Sequence, residues 1–375
     1  MRLTRAVFAV AAAAAALAVS APAEAYPQFQ LSTETARCNM CHFSPVGGGL
    51  INGWGRDEAA DTISRGGDGS FLHGTWDPPR WLFLGGDFRG VAGVKHTGAE
   101  ELDSLLFPMQ ADIYSLVKFG DFSLSITAGA RGSARPRDPP AHSRFGSREH
   151  YVMWRPKTNG PYVRAGRFAA PYGLRHVDHT TYVRRDLGYY AWEETYGVSG
   201  GWVKGDDWEL HASAFMRDPL LNVGWPGAGG AVMYEKRIRD ETAAWGVQTK
   251  VQMSGDIDRY WAGGVGKLWL DDLDLLLLTE LDFGVETVDV DGADPLLKMI
   301  GHINATYFVT RGVMVGTTLE YKHDDLNISG RDSESANLTL QYFPRAHWEI
   351  MLFGKVERVA GSADTIGMLM LHYYL

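Results

Sequence analysis

Apolar and polar residues alternate with a period of two along most of the chain between Trp81 and Leu375. In one such stretch Phe122, Leu124 and Ile126 are separated by serines and followed by Thr127. Because successive side chains of a β-strand point to opposite faces of the sheet, this alternation indicates strands with one apolar and one polar face. It predicts sixteen strands, near residues 82–94, 106–118, 121–131, 148–155, 161–169, 195–204, 207–216, 230–238, 241–252, 259–270, 273–285, 297–309, 312–322, 334–343, 347–357 and 364–375.

The segments that join these predicted strands alternate between short and long. The short connections include three two-residue turns, Phe119–Gly120, Gly205–Asp206 and Asp271–Asp272. The connections at the other ends of the strands are longer, for example residues 132–147 and residues 170–194. Tight turns on one side, long loops on the other and an even strand number are typical of bacterial outer-membrane barrels. We therefore predict an all-β protein, an antiparallel outer-membrane β-barrel of about 16 strands, which contacts outer-membrane lipid and has a polar lumen.

The chain before Trp81 has a different character and divides into two parts. Residues 1–25 have the pattern of an export signal, with Arg2 and Arg5, an apolar run and a final Ala-Glu-Ala. Residues 26–80 lack strand alternation and predict a small module of helices and loops, followed by the barrel over residues 81–375. An even strand number places both ends of the barrel on the short-turn, periplasmic side, so the module is expected to enter from the periplasm.

Composition excludes two classes of protein. The formal net charge of the 375 residues is −9, and no basic patch indicates a nucleic-acid partner. Cys38 and Cys41 are the only cysteines, so no disulfide framework can join distant parts of the chain.

These two cysteines belong to the sequence Cys38-Asn39-Met40-Cys41-His42, which has the C-x-x-C-H pattern of c-type haem attachment. In that chemistry the two thiols add to the haem vinyl groups and the adjoining imidazole binds the iron. The pattern predicts one haem c, attached through Cys38 and Cys41, with His42 as the proximal ligand. A disulfide or a zinc site are the alternatives, although zinc would need two further soft ligands.

The sequence indicates the distal ligand of the iron less clearly than the proximal one. No methionine occurs between Cys41 and Met109, and His73 is the one other histidine of the module, so His73 is the candidate distal ligand. A five-coordinate iron and a histidine of the barrel wall stay open, the wall candidates being His211, His302 and His372. Four aromatic residues of the module are candidates for the haem pocket, namely Phe43, Trp54, Phe71 and Trp76.

A second group of metal-binding residue types lies in a long loop. His176, Asp178 and His179 are closely spaced in the loop of residues 170–194, which we expect to face outside and to offer an external metal contact. The alternative is an ordinary solvated loop.

The haem motif is part of a longer resemblance. Together with Pro27, the chain carries Phe43-Ser44-Pro45, Gly47-Gly48-Gly49-Leu50 and Asn52-Gly53-Trp54-Gly55 around the motif, ahead of the predicted barrel. In this order it resembles the fused outer-membrane monohaem cytochrome c porins of iron-oxidising bacteria, with a residue-level match between Pro27 and Gly55. The resemblance implies transfer of electrons from extracellular Fe(II) to a periplasmic cytochrome or cupredoxin.

A weaker likeness concerns the barrel itself. Arg164-Ala165-Gly166-Arg167-Phe168 and Pro171-Tyr172-Gly173-Leu174-Arg175 are similar to a stretch found in anion-selective porins.

Three functions remain for this combination of motif and barrel. The expected one is an outer-membrane electron conduit, in which a single haem passes electrons between an extracellular donor and a periplasmic carrier. The first alternative is a diffusion porin with a haem-bearing periplasmic or plug domain. The second is a haem enzyme such as a peroxidase, which would require an open sixth position on the iron. No serine or cysteine nucleophile paired with a base indicates a hydrolase or transferase.

Overall fold

The computed structural model of the chain describes residues 27–32, 37–98, 102–131, 145–176, 178–187, 193–205, 207–216, 227–239, 241–290, 292–359 and 361–375. The predicted export signal, residues 1–25, lies outside this part of the chain.

Sixteen strands form within the predicted barrel region, each with boundaries within three residues of those expected from the alternation. They are Leu82–Thr97 (β1), Asp103–Phe119 (β2), Phe122–Arg131 (β3), Phe145–Trp154 (β4), Gly160–Phe168 (β5), Thr195–Lys204 (β6), Trp208–Met216 (β7), Ala228–Ile238 (β8), Ala243–Met253 (β9), Ile257–Leu270 (β10), Leu275–Val288 (β11), Leu296–Thr310 (β12), Val313–His323 (β13), Asp332–Arg345 (β14), Trp348–Val359 (β15) and Ser362–Tyr374 (β16).

These strands close into a single antiparallel barrel. Each strand pairs with its neighbours in sequence, and β1 closes the sheet against β16. Asp87 near the start of β1 pairs with Tyr374 at the end of β16, so the barrel begins and ends at the same rim. This is the short-turn rim, which confirms the position expected for both ends of the barrel.

The strand pattern separates a polar interior from an apolar exterior. On β15, Glu349 and Lys355 point inward with 0% and 4% of their surface exposed, whereas Leu352 and Val356 point outward at 50% and 51%. The outward apolar side chains would be costly in water and suit a surface covered by lipid.

Exposed aromatic side chains mark both rims of this apolar surface. The larger group lies near the short turns and comprises Trp81, Phe119, Phe122, Trp202, Trp245, Tyr307 and Trp348; the other lies near the long loops and comprises Tyr260, Phe283 and Tyr321. Aromatic girdles at both membrane interfaces are a feature of outer-membrane barrels, because these rings are stable at the level of the lipid headgroups.

Helical structure is confined to short pieces in the described residues. Three helical turns have α geometry, Cys38–Cys41 (α1), Gly53–Glu58 (α2) and Tyr182–Arg185 (α3). A π turn, Ala59–Ile63, continues α2, and 3₁₀ turns occupy Pro27–Phe29, Phe71–Gly74 and Asp271–Leu273. None of the helices in the described ranges has the length and apolar character needed to cross a membrane.

Candidate functional site

The two cysteines and His42 lie on one compact turn. The amide of His42 donates to the carbonyl of Cys38 at 2.9 Å and closes α1, and the described structure leaves both thiols outside any disulfide. Residues 42 and 51 then form a short antiparallel bridge, which brings the start of α2 back to the motif. The spacing of two residues therefore places both sulfurs on the same helical turn, as the sequence predicted.

Asn52 fixes this turn from the opposite side. Its side-chain oxygen accepts from the amide of Gly55 at 3.0 Å and caps α2, while its side-chain nitrogen donates to the carbonyl of Met40 at 2.7 Å. Asparagine is among the preferred residues at a helix N-cap because its side chain satisfies an amide that has no partner inside the helix. One side chain thus holds α1 and α2 together.

A cavity opens beside Cys38, Cys41 and His42, and all three residues line it. Apolar residues of the N-terminal segment, which we define as residues 27–80, form part of the lining: Pro27, Phe29, Val46, Ile51, Ala59 and Ile63.

The barrel wall supplies the other side of the cavity. Its contribution includes two histidines, His211 and His372, and one methionine, Met233. The methionine comes from β8, where it pairs with His211 of β7. The absence of methionine between Cys41 and Met109 therefore does not exclude a thioether at the cavity, because the wall brings Met233 there.

A chain of polar contacts connects Cys38 to the wall. The side chain of Gln30 donates to the Cys38 sulfur at 2.8 Å and accepts from Lys267 at 2.7 Å, and Lys267 pairs with Glu235 at 2.7 Å. Burial raises the pKa of the Cys38 thiol to about 11, although the positive charge of Lys267 opposes this effect. Cys38 is therefore a neutral thiol at physiological pH in the unmodified chain.

His42 is also neutral at physiological pH. Burial lowers its pKa to about 4, the positive charge of Arg175 acts in the same direction, and the carbonyls of Gly48 and Gly49 oppose it. A neutral imidazole is the form that can offer a lone pair to a metal ion. Two thiols and one neutral imidazole on a single turn, beside a cavity, are the donor set that covalent haem attachment needs.

The N-terminal segment is joined to the barrel by polar contacts of arginine side chains. Arg155, in the turn after β4, donates to the carbonyl of Phe43 at 3.0 Å, and Arg311, in the turn after β12, donates to the carbonyls of Ser64 and Ala60 at 2.6 and 2.8 Å. Both arginines lie in short turns. The contacts therefore cluster at the short-turn rim of the barrel.

Main-chain bonds extend the same junction. The amide of Arg65 donates to the carbonyl of Phe343 at 3.0 Å, and the amide of Ala346 donates to the carbonyl of Gly66 at 2.8 Å. These two hydrogen bonds join the N-terminal segment to the end of β14 and to the turn that follows it.

A second element reaches the cavity from the other direction. We call residues 169–187, between β5 and β6, the inner loop. Its backbone binds side chains that point into the lumen: Gly173 donates to Gln248 at 2.7 Å, and Leu174 donates to Glu280 at 2.9 Å. Arg175 then donates to the carbonyls of Val46 and Gly47, both at 3.2 Å. The inner loop and the N-terminal segment therefore meet beside the cavity.

The inner loop carries His176, Asp178 and His179, and their location differs from the external position expected. His176 is 7% exposed and its ring lies 5.1 Å from that of His302, while Asp178 accepts from Asn337 of β14 at 3.0 Å. Within the described ranges, no group of three or more histidine, cysteine or acidic residues could hold a metal ion. The loop turns inward because polar side chains of the opposite wall bind it.

His73, the candidate distal ligand, does not line the cavity. Its exposed ring lies 4.6 Å from that of His347, in the turn between β14 and β15, and its Nε2 atom is 3.3 Å from the hydroxyl of Tyr373. Leu72 and His73 have left-handed backbone conformations, with φ of 49° and 56°, where the chain turns toward β1. The segment has left the cavity before it reaches His73.

The aromatic residues expected to form the pocket also lie outside its lining, namely Phe43, Trp54, Phe71 and Trp76. Phe43 packs on Phe83 of β1 with ring centroids 4.7 Å apart, and Phe71 packs on Trp76 at 5.8 Å. Trp54 is 50% exposed because its neighbour Gly55 takes the position against Cys41. Other aromatic residues line the cavity instead, among them Phe29 of the N-terminal segment and Tyr114 and Phe343 of the barrel.

Comparisons with known proteins identify the barrel but not the N-terminal segment. No family model matches the chain, and no curated protein matches its sequence. Among solved structures, the anion-selective porin from Comamonas acidovorans matches with a TM-score of 0.62 and 11% identity, over 78% of this chain and 99% of the porin.

Two further structures give the same result. OprB of Pseudomonas putida matches with a TM-score of 0.59 and 12% identity, over 84% of this chain and 99% of OprB. The outer-membrane channel DcaP of Acinetobacter baumannii matches with a TM-score of 0.56 and 13% identity, over 78% and 97% of the two chains. At such low identity the likeness concerns the fold: this chain has the barrel fold of outer-membrane porins.

Proposed function

We propose that this protein resides in the outer membrane, carries one covalently bound haem c and conducts single electrons between an extracellular donor and a periplasmic carrier. The observation that carries the proposal is the donor set of Cys38, Cys41 and His42 beside a cavity that is also lined by residues of a porin-type barrel.

The residues present fit the cofactor that the motif implies. Cys38 and Cys41 would form the two thioether bonds, and His42, kept neutral by burial, would bind the iron. When bound, the haem would supply a centre that gains and loses one electron. The protein would tether this centre, exclude water from it and hold it at a fixed depth in the barrel.

The depth of the cavity supports a route toward the periplasm. Glu209 and Lys267, which line the cavity, lie within three residues of the short-turn ends of β7 and β10. At about 3.3 Å per residue, this depth is on the order of 10 Å from the short-turn rim. A periplasmic cytochrome or cupredoxin docked at that rim would therefore come close to the site.

The extracellular donor would approach the site from the long-loop side of the barrel. Extracellular Fe(II) is the donor that the resemblance implies; it would lose one electron to become Fe(III), and the periplasmic carrier would gain that electron. The barrel wall separates the two reactions, because its apolar band, roughly 25 Å tall in such barrels, is an electrical insulator.

The second candidate is a diffusion porin whose N-terminal segment acts as a plug. The fold shared with an anion-selective porin favours it, and so do the buried lumen arginines Arg164, Arg167 and Arg184. The two candidates differ in what crosses the membrane, which is an electron in the first and a small solute in the second.

Covalent haem can be tested in a bacterial host that matures c-type cytochromes. We expect the purified wild-type protein to show a Soret band and the mass of one attached haem. The double variant Cys38→Ser/Cys41→Ser should insert as a closed barrel without colour. Met40→Leu, inside the motif but without a role in attachment, is the matched control and should keep the haem. A wild-type barrel without haem that conducts small anions would favour the diffusion porin.

A further inference from the structure

Two histidines of the barrel wall, His211 and His372, line the cavity, and they differ in how closely carboxylates approach their rings. His211 of β7 is 1% exposed and lines the cavity together with His42. Its Nδ1 atom lies 2.9 Å from the hydroxyl of Tyr162, whereas its Nε2 atom is buried without a hydrogen-bond partner. The nearest carboxylate, Glu209, is 3.5 Å from that nitrogen and is bound more closely by Arg237, at 2.7 Å.

This arrangement is typical of a histidine prepared for a metal ion. A metal-binding imidazole usually uses one nitrogen for the metal and donates from the other to a fixed partner. Here Tyr162, itself buried, would fix the ring by accepting from Nδ1, which leaves Nε2 of His211 as the nitrogen with a lone pair.

The other histidine of the cavity wall, His372, lies between two carboxylates. Nδ1 of His372 lies 2.8 Å from Glu349 and Nε2 lies 3.2 Å from Asp87. An imidazole between two carboxylates keeps protons on both nitrogens and has no lone pair to offer. His302 does not line the cavity, and its Nδ1 atom is 3.1 Å from Glu320.

Met233 is the remaining rival, since it lies beside His211 and a thioether can bind haem iron. Its side chain, however, packs against an apolar cluster that includes Leu31, Leu174 and Val265. That packing explains Met233 as part of the apolar lining, whereas Nε2 of His211 has Glu209 at 3.5 Å, a carboxylate that Arg237 binds more closely.

We propose that His211 would be the second protein ligand of the haem iron, together with His42, an inference that rests on the proposed function. The ligand pair would then come from two different parts of the chain, the N-terminal segment and the barrel wall. Iron ligation would lock the segment to the wall and fill the sixth position, which a peroxidase would need open. Tyr162 would act as a positioning residue for the ligand.

The test uses the full-length holoprotein and reads the spin state of the iron by absorption and electron paramagnetic resonance spectra. We expect a six-coordinate, low-spin wild type. His211→Ala should keep its covalent haem, become high-spin and recover the low-spin spectrum when imidazole is added. Met233→Leu, the cross-strand neighbour, should remain low-spin and is the matched control.

A low-spin His211→Ala protein, or a high-spin wild type, would overturn the inference while leaving haem attachment intact. A wild type without covalent haem would instead overturn the proposed function, so the two failures are distinguishable by mass spectrometry.

If His211→Ala fails to form a barrel, Tyr162→Phe gives a milder test. It removes the hydrogen-bond acceptor of Nδ1, which lowers the basicity of the ligand and should raise the midpoint potential of a haem that stays low-spin. An unchanged potential and an unchanged low-spin signal would contradict the assignment.

Discussion

Gly55 controls how closely α2 approaches the haem-attachment turn. A Cβ atom built at this position would lie 2.5 Å from the carbonyl oxygen of Cys41 and 3.0 Å from its Cα. Backbone atoms cannot move away as a flexible side chain can. The glycine is therefore required by the shape of the Cys38–His42 turn.

We expect Gly55→Ala to push α2 away from Cys41 and to cost about 1–3 kcal/mol, the usual range for overpacking. The ratio of haem to protein, measured from the absorption spectrum, should fall relative to the wild type. Gly53→Ala is the matched control, because its Cβ would have no neighbour within 4 Å. Equal haem content in both variants would show that the close approach is unimportant.

At this site, local sequence patterns indicate some of the residues that line the cavity and miss others. The motif identified Cys38, Cys41 and His42 because their spacing is local. His73 was chosen by nearness in sequence, yet the chain turns away before reaching it. Met233 and Lys267 reach the cavity only because the barrel closes, and no local pattern distinguishes them from other lumen-facing residues.

The inner loop is the element that differs most from its expected position. Polar residues between two strands predicted an external loop, but the lumen offers carboxylates, amides and ammonium groups that satisfy its backbone. Tyr182 donates from its amide to Glu320 at 2.7 Å, and Lys355 donates to the carbonyl of Thr180 at 2.5 Å. Those partners lie more than 100 residues away in the chain, so the pattern of the loop itself cannot reveal them.

The packing of the inner loop should depend on pH through His176. Burial lowers the pKa of His176 to about 3; His302 and Arg184 act in the same direction, and Glu320 opposes them. A lowered pKa means that the packed loop favours neutral His176. The resulting stability is present above pH 6.5 and is lost, by up to about 1.4 kcal/mol per unit, as the pH falls from 6.5 toward 3.

We therefore expect proteases active at low pH to cut the inner loop increasingly fast below pH 6.5. In His176→Asn, which keeps a side-chain acceptor but cannot gain a proton, this increase should be much smaller. If wild type and variant had the same pH profile, other groups would control the loop.

The N-terminal segment depends on a few contacts with the short turns, and Arg311 makes two of them. Hydrogen bonds to charged groups contribute about 1.5–3 kcal/mol each. We expect Arg311→Ala to release residues 59–66, which should become sensitive to protease, while the barrel keeps its heat-modifiable migration on gels.

Arg358→Ala is the control for this variant. Arg358 pairs with Glu334 where both side chains are exposed, and such pairs contribute only about 0–1 kcal/mol. Protease sensitivity of the segment should stay at the wild-type level. Protection in both variants would mean that Arg311 does not hold the segment.

For the whole molecule, the barrel was predictable because every part of it repeats one simple pattern. Alternation indicated the sixteen strands, and the sorting of short and long connections indicated a closed barrel with both ends at the short-turn rim. Asp87, Glu209 and Glu349 are buried inside the barrel, in agreement with the predicted polar lumen. The contents of the lumen were not predictable in the same way, because they depend on contacts between elements that only the closed barrel brings together.

Transfer of electrons across a sealed membrane tests the proposed conduit. Wild-type protein and the Cys38→Ser/Cys41→Ser variant would be inserted into vesicles that contain an oxidised soluble cytochrome, and Fe(II) would be added outside. We expect the trapped cytochrome to become reduced in vesicles with haem-loaded wild type and to stay oxidised with the variant. Equal reduction in both would mean that Fe(II) itself passes through the barrel, and no reduction with haem-loaded wild type would also contradict an electron conduit.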